Sequence, residues 1–124
     1  MKRIIQYFNE VCINELFQVS ENLYKDPSQF AEYITELKKT LDKLGVEVVK
    51  ETLETMDEAI KKSAKRKSSW HVEKSNCHKD LITTLGTVSF NKTLYVSKEA
   101  NEEGKHEMCY LLDKVMGFEE NQRL

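Results

Sequence analysis

Proline occurs once in this chain, glycine four times, cysteine three times and tryptophan once. So few helix breakers leave little room for a loop-rich or collagen-like architecture and give the composition a helical lean. Three cysteines (Cys12, Cys77, Cys109) are too few, and odd in number, for a disulfide framework; they predict reduced thiols and a cytoplasmic setting. No apolar run approaches the roughly 18 residues of a membrane span. The opening MKRIIQYFNE has basic residues but no long apolar core before its first acid, so it does not read as a secretory signal. Glycine-rich phosphate loops, a G-x-S-x-G elbow and paired C-x-x-C ligands are also missing, which removes the commonest hydrolytic, phosphotransfer and structural-zinc readings.

What is present is charge, unevenly placed. The net charge is −2, yet residues 1–60 carry 7 basic and 12 acidic side chains, residues 61–98 carry 9 and 2, and residues 99–124 carry 3 and 7. A local excess of this size makes a positive field on a slightly acidic protein.

The first segment sets Ile4, Ile5, Phe8, Val11, Cys12, Leu16, Val19 and Leu23 at helical spacing, predicting an amphipathic helix of about five or six turns. DPSQF then supplies a start signal, with Asp26 as cap, Pro27 at the first position and Gln29 three beyond the cap. The next stripe runs Phe30, Ile34, Leu37, Leu41, Leu44, Val48. From Val49 it continues as Leu53, Met56, Ile60, displaced by one residue. Either Gly45 ends a helix here, or one helix continues with its buried stripe rotated by about 100°. The absence of a capping residue ahead of VEVVKETLETMDEAIKK favours one helix.

From Ser68 the period changes. SSWHVEK reads as a strand, SNCHKD as a turn, LITTL as a second strand and TVSFNKTLYVS as a third. Val88, Phe90, Leu94 and Val96 lie on the apolar face of the third, and Lys92 makes that face shallow at its middle. Gly86 is where the chain can take positive φ and reverse. NEEGK is a polar loop, and MCYLLDKVMGF a short helix that Gly117 could end. His71, Cys77 and His78 lie close in sequence, and His106 stands three before Cys109, but without paired ligands they predict no metal site. The basic run KKSAKRK is either a solvated helix end or a phosphate-contacting patch.

Four motifs appear in order: Glu51-x-Leu53-Glu54-x-x-Asp57; a basic approach to Trp70; Thr83-x-x-Gly86-x-Val88-x-Phe90-x-Lys92-Thr93; and Tyr110-Leu111-Leu112-Asp113 with Gly117. With this pattern, the stretch from Leu44 to the C-terminus resembles the N-terminal region of the ISLre-type insertion-sequence transposases. SNCHKD departs from it, since relatives usually carry a charged turn without a Cys-His pair. The resemblance implies a much longer parent, a DNA transposase whose RNase H-like core binds divalent metal through acidic residues. It implies that this chain is a single N-terminal domain from which the catalytic domain is absent, with no catalytic residue to carry over and no cofactor.

The expectation is therefore an α+β fold with long amphipathic helices on a small three-stranded antiparallel sheet, followed by a short C-terminal helix. Residues 1–67 would be helical, 68–98 a β meander, and 99–124 a loop and short helix. The expected function is non-catalytic binding of element-end duplex DNA through Lys62, Lys65, Arg66, Lys67, Lys74, Lys79 and Lys92. The rival is an assembly module in which residues 26–60 pair with another copy and make no DNA contact.

Overall fold

A computed structural model describes residues 2–119 and 122–124. Lys2–Tyr7 (α1) runs through a π-helical turn, Phe8–Cys12, into Ile13–Lys25 (α2). The residues flanking that turn keep right-handed helical dihedrals, so the backbone is helical throughout while its wider turn re-aims the side chains. Cys12 is consequently buried, whereas Ile5, Phe8 and Val11, expected on the covered face, are exposed.

Asp26 caps the next turn by accepting from the Ser28 N–H and hydroxyl at 3.2 and 2.6 Å, with Pro27 in the first position. Phe30–Lys62 (α3) then forms one unbroken helix, so Gly45 is interior and not a cap. The hairpin tip approaches it closely: a Cβ there would stand 2.9 Å from Leu85 Cδ1, the far end of an exposed side chain. Ala64–Ser69 (α4) follows, extending helix two residues past the expected boundary.

The sheet is three-stranded and antiparallel in the order β1-β2-β3, but its strands differ from those expected. Trp70–Thr83 (β1) is one long strand that absorbs the WHVEK of SSWHVEK, all of SNCHKD and the start of LITTL, while Ser68 and Ser69 end α4. SNCHKD does not reverse the chain. The register against Gly86–Ser97 (β2) slips between Val72 and Lys74 and again between Lys74 and Cys77, so β1 carries two extra residues as bulges. Asn76 takes φ 57°, the left-handed conformation asparagine tolerates, and it serves a bulge instead of a turn. The true reversal is the two-residue loop Thr84-Leu85. There the Thr83 hydroxyl receives the Leu85 N–H and donates to the Gly86 carbonyl, and Gly86 adopts φ 134°.

The third strand is Met108–Cys109 (β3), expected as helix; it pairs with Tyr95 and Val96. Among the described residues beyond it, Leu111–Met116 (α5) is helical, ended by Gly117 at φ 68°.

Leu53, Leu81, Val88, Phe90 and Leu112 form the core, flanked by Val46, Val49, Met56, Ile60 and Phe118. The displaced half of the α3 stripe is thus the half that covers the sheet. Two of the three carboxylates of the Glu51–Asp57 motif, Glu54 and Asp57, serve the open edge of β2. The Ser97 N–H reaches the Glu107 carbonyl at 2.8 Å beside β3. The N–H groups of Thr93 and Asn91 share its direction along the strand, past the end of β3. Asp57 takes the Thr93 N–H at 3.1 Å and its hydroxyl at 2.7 Å, and Glu54 takes the Asn91 N–H at 2.9 Å. Side chains one turn apart on α3 thereby satisfy edge donors that a strand would otherwise have to pair.

Candidate nucleic-acid interface

The basic run falls where α3 ends. Ser63 leaves the helix at ψ 146°, and its hydroxyl receives the Arg66 N–H at 3.2 Å, capping α4. The turn folds Arg66 back on itself. Its Nε donates to the Lys61 carbonyl at 2.8 Å, its Nη2 reaches the same oxygen, and its Nη1 lies 3.4 Å from the Trp70 carbonyl. The guanidinium also stands 5.9 Å from the centre of the buried Tyr95 ring. A cation on the last-turn carbonyls of α3 meets the negative pole of that helix. Arg66 therefore joins α3, β1 and β2, with each of its three nitrogens donating to a backbone carbonyl of the fold.

Lys92 departs further from expectation. It shares the strand face of Val88 and Phe90 and is 5% exposed, so it does not extend a surface patch. Its Nζ lies 2.6 Å from Asp113 Oδ2 and 3.8 Å from the centre of the Tyr110 ring. Burial of an amine at that position is tolerated because α5 brings a carboxylate and an aromatic face to it.

The other expected residues divide by exposure. Lys62, Lys65, Lys67 and Lys74 are exposed, while Lys79 is half-buried. Lys62 lies 3.5 Å from Glu58 one turn back, an exposed pair of little energetic weight. Two lysines outside the expected set join the patch. Lys61 donates to the Ser75 hydroxyl on the β1 bulge at 3.1 Å, which ties the end of α3 to the Lys74 neighbourhood. Lys98 is carried beside α4 by the Trp70–Ser97 pairing; its N–H reaches the Ser69 carbonyl at 3.0 Å and its Nζ the Lys67 carbonyl. Lys61 sits within the quoted run, whereas the position of Lys98 depends on strand register. Glu54, Asp57 and Glu58 lie next to Lys61 and Ser75 and bound the positive surface on that side.

The cysteines and histidines are dispersed. Cys77 Sγ contacts the Lys74 carbonyl at 3.7 Å, and the ring of His106 bonds the Ser97 carbonyl at 2.7 Å. His78 Nε2 lies 2.6 Å from Asp80 Oδ1, the oxygen that also accepts from the Ser89 hydroxyl at 2.6 Å. Those two hydrogen bonds, Ser89 first, hold the Asp80 carboxyl below the usual carboxylate range. Burial pushes the Cys109 thiol up. Among the described residues no three His, Cys, Asp or Glu side chains gather as a metal site, and no helix is long and apolar enough to cross a membrane.

The molecule is thus an α+β domain in which a long helix and a bulged β ribbon meet at a lysine-lined junction. The chain belongs to the uncharacterised protein family UPF0236, whose model matches residues 23–124. It is 32% identical over 110 residues to the UPF0236 protein TTE0033/TTE0744/TTE0838/TTE0852/TTE1082/TTE1247/TTE1519/TTE1678/TTE1739/TTE1823/TTE2212 of Caldanaerobacter subterraneus subsp. tengcongensis. It is 30% identical over the same length to the UPF0236 protein TTE2489 of that organism. Both matches take in 89% of this chain and 22% of the relative, so the chain spans about a fifth of the length of these curated relatives. No solved structure matches the chain.

Proposed function

We propose that this chain is a DNA-binding part of an insertion-sequence transposase, holding duplex DNA without catalysis of its own. The observation that carries the reading is the exposure of Lys65, Lys67 and Lys98 where α4 and the end of β2 meet, with Lys74 exposed four residues into β1 from that junction. Lysines so placed contribute by displacing counterions from phosphates, which requires exposure and proximity but no fixed geometry. Arg66 supports this surface from within, by fixing α4 against the end of α3 and the start of β1, while Lys92 fastens α5 to β2.

Two further observations favour a mobile-element protein. The four ordered motifs match those of the ISLre-type transposases. One relative's name joins eleven locus labels within a single organism, the multiplicity expected of a sequence that copies itself within a genome.

Fluorescence polarisation of a labelled duplex, titrated with the chain at several salt concentrations, tests the proposal. Four phosphate contacts would give a slope of log affinity against log salt of about −3 to −4. Absence of binding at low salt, or binding indifferent to salt, would overturn it.

A further inference from the structure

The one-residue displacement in the α3 stripe has a spatial consequence. Val46, Val49, Leu53, Met56 and Ile60 cover the sheet core. One residue of displacement turns the earlier stripe by about 100°, away from that sheet. Phe30, Ile34 and Leu41 on the earlier stripe are accordingly 59%, 47% and 49% exposed, and its other members, Leu37, Leu44 and Val48, are half-buried. Helix α2 packs on the neighbouring face, marked by the Thr40 hydroxyl donating to Glu15 at 3.2 Å, and leaves this stripe open.

We infer that a second copy of this chain covers the stripe, packing α3 against α3 in antiparallel fashion about a two-fold axis near residue 39. The argument rests on self-complementarity. The stripe from Phe30 to Val48 advances in steps of 4, 3, 4, 3 and 4, which read the same in both directions. Reversed onto itself, it sets Phe30 against Val48, Ile34 against Leu44 and Leu37 against Leu41, with every layer apolar. Steps alternating between three and four are those of helices that pack at a shallow angle with interdigitating side chains.

Charge follows the same symmetry. Lys38 and Asp42 lie on one flank of the stripe, 2.5 Å apart within one copy. In the reversed register, Lys38 of each copy falls within about 3 Å along the axis of Asp42 in the other, at 1.5 Å rise per residue. Along the axis the order is Asp42, Lys38, Lys38, Asp42, so each lysine of the central pair has a carboxylate of the other copy on its outer side. With α2 alongside each α3, the assembly is a four-helix bundle of two helical hairpins, a common route by which paired helices bury an apolar face.

Sedimentation equilibrium of the full chain without DNA tests this independently of the DNA-binding proposal. Wild type should show a reversible monomer–dimer equilibrium. The double variant Ile34→Glu/Leu41→Glu should remain monomeric with unchanged helical circular dichroism, because both side chains are exposed. Val115→Glu, a comparable loss of exposed apolar surface on α5, should leave dimerisation intact. A wild type that is monomeric at every concentration reached would overturn the inference. So would a folded double variant that dimerises as tightly as wild type.

Discussion

Lys92 on β2 and Asp113 on α5 meet at 2.6 Å between Nζ and Oδ2, a nearly buried ion pair that fastens the C-terminal helix to the centre of the hairpin. Tyr110 lies against the same amine, and Leu112, one residue before the carboxylate, is fully buried in the core. Several residues of the four ordered motifs thus contact one another. Asp57 binds Thr93, Lys92 binds Asp113, and Leu53, Val88, Phe90 and Leu112 share one core. In this domain those motif residues hold the fold together.

Asp113→Ala should therefore destabilise the protein by about 3 kcal/mol, the lower end for removal of one partner from a buried pair, since Asp113 keeps some exposure. The double change Lys92→Met/Asp113→Leu should recover most of that loss, because no charge is then left unpaired. Urea denaturation of the three proteins measures both effects; equal losses in the single and double variants would contradict the account.

Gly45→Ala should stabilise the fold, by up to about 1 kcal/mol, the cost of glycine in a helix interior. The nearest neighbour of the new methyl is the end of the Leu85 side chain, which is 38% exposed and can rotate away. Thermal denaturation decides it. A marked fall in melting temperature would mean that the hairpin tip requires its close approach to α3.

Arg66 and its neighbours should behave differently on truncation. Arg66→Ala removes the donors that satisfy the Lys61 carbonyl, a charge-assisted contact worth about 1.5–3 kcal/mol. Lys65→Ala and Lys67→Ala alter exposed side chains and should stay within about 0.5 kcal/mol of wild type. Equal stabilities for all three would show that the guanidinium contacts carry no weight.

Asp80 gives a pH dependence with a definite sign. Its carboxyl is held below the usual range by Ser89 and then His78, so its folded-state midpoint is lower than in the unfolded chain. The resulting stabilisation is present above the unfolded midpoint and is lost as pH falls through the folded one. Ser89→Ala should raise the Asp80 midpoint toward the ordinary carboxylate value in an NMR pH titration. An unchanged midpoint would remove Ser89 as the principal cause.

Much of this was legible in the sequence, for reasons that differ by residue. The single long α3 followed from the missing cap before Val46, and the rotation of its stripe was visible at Gly45. The β1 bulges were not, because Ser75-Asn76 carries the same left-handed propensity whether it closes a turn or widens a strand. Met108–Cys109 is too short to show any period, and its strand character comes from pairing with Tyr95 and Val96. Lys92 shares its alternation with Val88 and Phe90, so burial could have been read from parity; its partner, twenty-one residues on, could not. Arg66 sat inside a run of like charge, where composition does not distinguish a clamp from a free cation.

The central claim, that exposed lysines at the α4–β1–β2 junction hold DNA, is tested most directly by charge reversal at Lys65, Lys67 and Lys74. These positions leave the Arg66 and Lys92 contacts intact, so the fold should survive, as thermal denaturation would verify. The account predicts that the triple glutamate variant loses measurable affinity for duplex DNA at moderate salt. At low salt its slope of log affinity against log salt should be shallower by about 2.7, from three lost phosphate contacts. A folded variant that binds with the affinity and salt dependence of wild type would contradict it.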